Sequence, residues 1–352
     1  MKKIFFIVSS LGAGGSERVY WLVSQYFAQK NFEVYVVFFD NREQCFSLDV
    51  PGVKFIDLKT LKASRSLFKL LRVLHKIKPF AVFSTTDHIN VLTAIVTLFV
   101  PVPRLIARAS NNPSQMKNFH GFKARFYNLF NYLLLKRFDV IVCQTQEMLQ
   151  STSALYKLSG KKLKVIPNPV SAYHHQPGEV KKTTATHHIV AVGRLSPEKG
   201  MFRLLEVMKL LPANYQLSIA GEGALMVPLN QYASAHKLDT RVTFMGKVTN
   251  VPGLLADHKL LVMTSFTEGF PNVILEALAV GTPVVTFEVG GANVMIKPGF
   301  NGYIVKQGDM DGLRGSIIKA CNSPWNHEAI KADALNRFSL DHIGQMYEQL
   351  LN

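Results

Sequence analysis

The 24 residues of 264–287, TSFTEGFPNVILEALAVGTPVVTF, constrain the fold more than any other stretch. They read as a strand end, a tight loop, a helix, a tight turn and a second strand. Pro271 suits the first turn of a helix, where its missing N–H costs nothing. Val273, Leu275, Leu278 and Ala279 then recur at helical spacing, and Gly281 with Pro283 stops the helix. Residues 283–287 form a short buried-strand pattern. Two carboxylates belong to the unit: Glu268 at the helix mouth and Glu276 two turns inside.

This unit suits a phosphorylated sugar. Free N–H groups at a helix start, with the helix dipole, favour an anion such as a diphosphate. A carboxylate accepts hydrogen bonds from two neighbouring hydroxyls, so Glu276 suits a ribose and Glu268 a sugar ring. The plainer reading makes both acids ordinary helix-start residues, each stabilising the dipole by ~0.3–1 kcal/mol.

At 352 residues the chain should hold two domains. Being 48% hydrophobic and 18% charged, it is globular and able to bury real cores. Cys45, Cys143 and Cys321 are scattered and odd in number, which argues for a reducing compartment over a disulfide framework. The opening MKKIFFIVSSLGAGG mimics a signal peptide, but a glycine turn and an amphipathic helix follow, so it reads as a first buried strand. The most apolar window, 90–102, is too short to span a bilayer. Residues 1–166 carry 24 Lys and Arg against 9 Asp and Glu, leaving +15, while 167–352 carry 16 against 15, leaving +1. Such asymmetry points to an anionic surface as partner, membrane or nucleic acid.

Residues 2–10 read as a strand, 11–15 as a glycine loop, 16–30 as a helix capped by Ser16, and 33–40 as a second strand, which implies a doubly wound parallel sheet. A dinucleotide fingerprint is broken: Glu17 stands where the third glycine belongs. At strand carboxyl ends, Gly14, Gly15 and Ser16 would let a sugar or phosphate approach the backbone. Helices at 61–78 and 119–138 interleave cations with leucines and phenylalanines, a pattern that either lies in a membrane interface or presents a solvated basic face. No nucleic-acid-binding motif is present. Residues 167–187 are turn-rich and read as a linker. After it, strands and helices alternate again, including a helix at 197–211 and one at 228–236. The pairs His174-His175 and His187-His188 lack spaced partners for a metal, and Asp309-Met310-Asp311 sits where a helix cap is expected.

Several segments resemble the retaining glycosyltransferases of family four. Glu268 and Glu276 match that family's Glu-x7-Glu motif, and residues 192–200 (VGRLSPEKG) its Gly-Arg…Glu-Lys-Gly segment. Residues 166–170 (IPNPV), 14–18 (GGSER) and 301–305 (NGYIV) match its interdomain signature, its glycine loop and a late strand entry. The five stand in the family's order over nearly the whole chain. The resemblance implies the GT-B fold, two Rossmann-like doubly wound parallel-sheet domains facing a cleft. Residues 1–170 would form the acceptor and membrane domain, 171–187 the linker and 188–337 the donor domain, with a helix at 338–352 crossing back.

It further implies transfer, with retention, of a hexose or N-acetylhexosamine from a nucleotide sugar, UDP-linked in many relatives. The acceptor would be a lipid-linked saccharide of lipopolysaccharide, O-antigen, capsule or related glycan assembly. Arg194 and Lys199 would neutralise the leaving diphosphate, with Glu268 on the donor sugar. Gly193, Gly269, Phe270, Pro271, Asn272 and Val273 would line the donor beside Glu276, and Gly246, Lys247 and Val248 its base. No metal or cofactor is expected. Many relatives present a histidine at the end of the 104–112 strand; here Ala109 or Ser110 stands there, leaving Arg108, Asn111 and His120 as acceptor-side candidates. The place implied is the cytoplasmic face of the inner membrane, bound peripherally. The alternative is a non-catalytic nucleotide-sugar-binding or scaffold subunit.

Overall fold

The computed structural model describes residues 1–12, 14–40, 44–60, 66–109, 133–173 and 187–352. Outside them lie Asn111, His120, His174, His175, most of the expected linker and the 119–138 helix up to residue 132. The chain divides into two compact units: Met1–Pro169 with Leu340–Asn352, and Val170–Ser339.

The N-terminal unit is built on β1 (Lys2–Ile7), β2 (Phe32–Phe38), β3 (Val53–Asp57), β4 (Ala81–Thr85), β5 (Arg104–Arg108), β6 (Val140–Cys143) and β7 (Leu163–Val165). All pair in parallel, in the order 3-2-1-4-5-6-7. Strands covered on both faces read as continuous apolar runs, and β4 and β6 are buried at every position. The Gly15–Ala28 and Leu340–Glu348 helices cover one face; Leu67–Ile77, Asp87–Val96 and Gln146–Tyr156 cover the other. The C-terminal helix docks tightly: a β-carbon at Gly344 would lie 2.3 Å from the Tyr26 ring, and Tyr26 Oη donates to Glu348 Oε2 at 2.7 Å.

In the second unit β8 (His188–Val192), β9 (Gln216–Ala220), β10 (Val242–Gly246), β11 (Leu260–Met263), β12 (Val284–Phe287) and β13 (Gly302–Val305) form a second parallel sheet, in the order 10-9-8-11-12-13. Both sheets reverse direction beside their first strand, as doubly wound sheets do.

Four expectations need correction. The first helix starts at Gly15 with Gly14 as its cap residue; Ser16 lies inside the first turn and its Oγ accepts from Arg108 Nη1 at 3.2 Å. The helix expected at 197–211 is two pieces, a 3₁₀ turn Pro197–Lys199 and a helix Met201–Leu210. Gly200, left-handed at φ +63, breaks it. Pro271 is extended (ψ 108) and opens the Asn272–Ala279 helix through its carbonyl, which accepts from Ile274 N at 3.2 Å. Glu276 therefore stands little more than one turn inside the helix.

Candidate active site

Ligands of doubly wound sheets bind beyond the strand carboxyl ends, where the order reverses. In the second unit that point lies between β8 and β11, which are neighbours. Gly200 brings their following loops together. A β-carbon there would come within 2.2 Å of Thr264 O, so only glycine allows the approach. Thr264 Oγ1 donates to Gly200 O at 3.0 Å and Phe266 N to Glu198 O at 2.8 Å.

This contact joins two predicted residues 69 positions apart. Lys199 Nζ donates to Glu268 Oε1 at 2.6 Å, and Ser265 Oγ donates to the same oxygen at 2.8 Å. Glu268 Oε2 makes no hydrogen bond among the described residues. The pair is partly open, with side chains 26% and 14% exposed. The carboxylate is thus held by one oxygen and presents the other.

The other predicted groups surround this pair with differing access. Arg194 is exposed and its guanidinium makes no hydrogen bond or ion pair among the described residues. Nearby, the Ser196 hydroxyl, donating at 2.6 Å, is the main cause holding the Glu198 carboxyl below its ordinary range. Glu276 is buried, whereas Asn272 and Val273 at the helix start are half-buried. Phe270 is buried edge-on against Phe338. Gly269 is half-buried, and a β-carbon at Gly290 would lie 2.9 Å from its carbonyl oxygen. Gly193 adjoins β9: a β-carbon at Gly221 would lie 1.9 Å from its oxygen. Gly246, at φ +64, ends β10 on a register shift with open space before it; Lys247 is exposed and Val248 half-buried.

Sequence reasoning missed the brace behind the Glu268 loop. Gln307 Nε2 donates to the carbonyls of Ser265 (2.9 Å), Phe266 (3.4 Å) and Glu288 (3.0 Å). Its Oε1 accepts from Arg203 Nη1 at 3.0 Å. The Arg203 guanidinium lies 3.8 Å from the Phe266 ring centre and 4.7 Å from that of Phe287, a cation–π sandwich. No periodicity announces a glutamine that reaches 42 residues back; only the Gly290-Gly291 pair after β12 was a visible signal of close approach.

In the N-terminal unit the corresponding switch point lies between β1 and β4. The Glu17 carboxylate folds over Gly14 and accepts from Ser9 Oγ. Arg108 is 3% exposed; besides Ser16, it donates to Asn168 Oδ1 at 2.6 Å. The Asp309 carboxylate caps the Met310–Asn322 helix, accepting from Gly312 N at 2.8 Å.

Two family models match, "Glycosyltransferase Family 4" over residues 13–172 and "Glycosyl transferases group 1" over 176–337. The chain is 25% identical to a Campylobacter jejuni enzyme across 100% of its own length and 98% of the relative's. That relative is named GalNAc-alpha-(1->4)-GalNAc-alpha-(1->3)-diNAcBac-PP-undecaprenol alpha-1,4-N-acetyl-D-galactosaminyltransferase. This chain is also 24% identical, over 75% of its own length and 72% of the relative's, to an Escherichia coli UDP-Gal:alpha-D-GlcNAc-diphosphoundecaprenol alpha-1,3-galactosyltransferase. The fold matches Anabaena HepE, solved with UDP and glucose, at a TM-score of 0.85 and 21% identity over 100% and 99% of the two chains. With both halves matched in order and the two-sheet fold shared throughout, the chain belongs to the family-four glycosyltransferases of GT-B fold.

Proposed function

We propose that this chain transfers a hexose or N-acetylhexosamine, with retention, from a UDP sugar to a lipid-linked saccharide in cell-envelope glycan assembly. The observation that carries the reading is the Lys199–Glu268 pair: one carboxylate oxygen is held by a cation and a hydroxyl, and the other has no partner among the described residues. Such an oxygen suits a sugar hydroxyl. The relatives' names supply the classes of donor and acceptor.

In this reading Glu268 orients the donor ring and Glu276 accepts from the ribose hydroxyls. As the donor's C1–O bond breaks, charge grows on the departing phosphate, and Arg194, Lys199 and the N–H groups opening the Asn272–Ala279 helix meet it. The acceptor oxygen forms its new bond to C1 on the same face, and its proton passes to the departing phosphate oxygen. No metal takes part. Gly246, Lys247 and Val248 border the base. Gly14, Gly15 and Ser16 approach the transferred sugar or the phosphate, with Arg108 bracing Ser16; Asn111 and His120 serve the acceptor. No helix among the described residues is long and apolar enough to cross a membrane, and the basic N-terminal unit holds the enzyme peripherally on the cytoplasmic leaflet.

The test is a thermal-shift and hydrolysis screen of UDP-, GDP-, ADP- and dTDP-sugars, with and without EDTA, for wild type and Glu276→Ala. A UDP sugar should stabilise and slowly hydrolyse in wild type regardless of EDTA, and Glu276→Ala should raise its KM. An unchanged KM overturns the ribose role. Silence towards every sugar nucleotide, with acceptor present, favours a non-catalytic subunit.

A further inference from the structure

The excess charge of the N-terminal unit has a definite place. Its seven strands are parallel, so the segments that lead into them lie along one edge, opposite the carboxyl ends. Lys76 and Lys78 precede β4, Lys136 and Arg137 precede β6, and Lys157 and Lys161 precede β7; all six are exposed. Helices end along this edge, and a helix C-terminus favours cations. That accounts for Lys76, Lys78 and Lys157, which close or follow the Leu67–Ile77 and Gln146–Tyr156 helices.

It does not account for the apolar side chains beside them. Leu98 is 53% exposed, Phe99 68% and Leu133 55%. Hydrogen bonds join their segments to the cations: Arg137 Nη2 donates to Thr97 O at 3.3 Å, and Lys162 Nζ to Lys136 O at 2.7 Å and Phe138 O at 3.0 Å. The adjoining acid, Asp139, is turned inward, its Oδ2 accepting from Leu105 N at 2.7 Å, and forms no ion pair among the described residues. The result is one corner, Leu98-Phe99, Leu133 with Lys136-Arg137, and Lys161-Lys162, that is cationic, free of competing carboxylates in those segments and tipped with an aromatic ring. An apolar residue ringed by cations suits the boundary between acidic head groups and acyl chains.

We propose that this corner, at the strand-entry edge of the N-terminal sheet, docks the protein on a bilayer of acidic phospholipids. The inference rests on the peripheral-membrane reading above and names the surface that carries it. The rival surface is the outer face of the Leu67–Ile77 helix, where Phe68 is 80% exposed near Arg72.

Co-sedimentation with vesicles decides between them, using phosphatidylglycerol with phosphatidylethanolamine against pure phosphatidylcholine at ~0.15 M salt. Wild type should sediment with the acidic vesicles alone. Each cation near such a surface contributes about fivefold in partitioning, so Lys136→Glu with Arg137→Glu should weaken it at least about 25-fold. Leu98→Ser with Phe99→Ser should weaken it about tenfold, and Phe68→Ser with Arg72→Glu should sediment as wild type. Corner variants that sediment like wild type while the helix variant is released overturn this inference and leave the membrane reading standing. Wild type that ignores every vesicle overturns both.

Discussion

Two switch points of the same topology are finished in opposite ways. Between β8 and β11 the polar groups keep unused capacity: Lys199 and Glu268 are partly open, Glu268 Oε2 is unpartnered among the described residues, and Arg194 is exposed. Between β1 and β4 they are turned inward. Glu17 closes over Gly14, and the Arg108 guanidinium is buried against Ser16 and Asn168 with no carboxylate pairing with it among the described residues. Both Arg108 Nη groups are held by hydrogen bonds and only its buried Nε has no partner among the described residues, so the second arrangement reads mainly as bracing and the first as a site awaiting a ligand.

The largest expected effect separates these two roles. Lys199→Ala should remove about 2–4 kcal/mol of transition-state stabilisation, roughly 30- to 1,000-fold in kcat/KM, with Tm nearly unchanged. Arg108→Ala should do the reverse, removing the hydrogen bonds that the guanidinium gives to Ser16 Oγ and Asn168 Oδ1 and lowering stability by about 2 kcal/mol. Steady-state kinetics and thermal melts on both variants would break the comparison if Lys199→Ala melted early, or if Arg108→Ala lost turnover at full stability.

Acid sharpens the comparison in a second way. At the opposite edge of the second sheet, His188 and His258 share one hydroxyl, both Nε2 atoms lying 3.0 Å from Ser218 Oγ. His258 Nδ1 donates to Leu254 O at 2.7 Å, so its Nε2 must accept the Ser218 proton. His188 Nε2 then donates to Ser218 Oγ, and the buried His188 Nδ1 has no partner among the described residues. Burial pushes His258 down to about 4 and lowers His188 as well. Because the unfolded histidine protonates first, stability is full above about pH 6.5 and falls towards pH 4, by on the order of 3 kcal/mol for His258. Urea melts between pH 7 and 4 should show this slope, and His258→Asn should flatten it; an unchanged slope in the variant would assign the acid sensitivity elsewhere.

What the sequence revealed, and what it hid, follows the reach of each interaction. The strand-loop-helix unit around Glu268 was legible because glycine, proline and apolar spacing act within a few residues. The split at Gly200 was not, since the need for a left-handed glycine comes from Thr264 O, 64 positions away. Lys199 and Glu268 were each visible as candidates, but their sharing of one oxygen with Ser265 depends on loops from two different strands. Arg108 looked like a strand-end cation available to a ligand; only the folded helix carrying Ser16 and the segment carrying Asn168 bury it.

Gln307 gives the smallest effect and the sharpest test of how the open site keeps its shape. It touches no group proposed to meet the substrate, yet it holds the backbone oxygens of Ser265 and Phe266, between which the Glu268 loop begins. Gln307→Ala should loosen that loop and cost about 1 kcal/mol in kcat/KM, roughly fivefold, the scale of a lost neutral hydrogen bond. A purely structural role would lower Tm and add independently to other variants. Positioning through the carboxylate requires non-additivity: once Glu268→Gln has removed the charge being placed, Gln307→Ala should cost almost nothing further. Full additivity in that double-mutant cycle would mean that Glu268 keeps its orientation through Lys199 and Ser265 alone, and that the brace serves the fold and not the site.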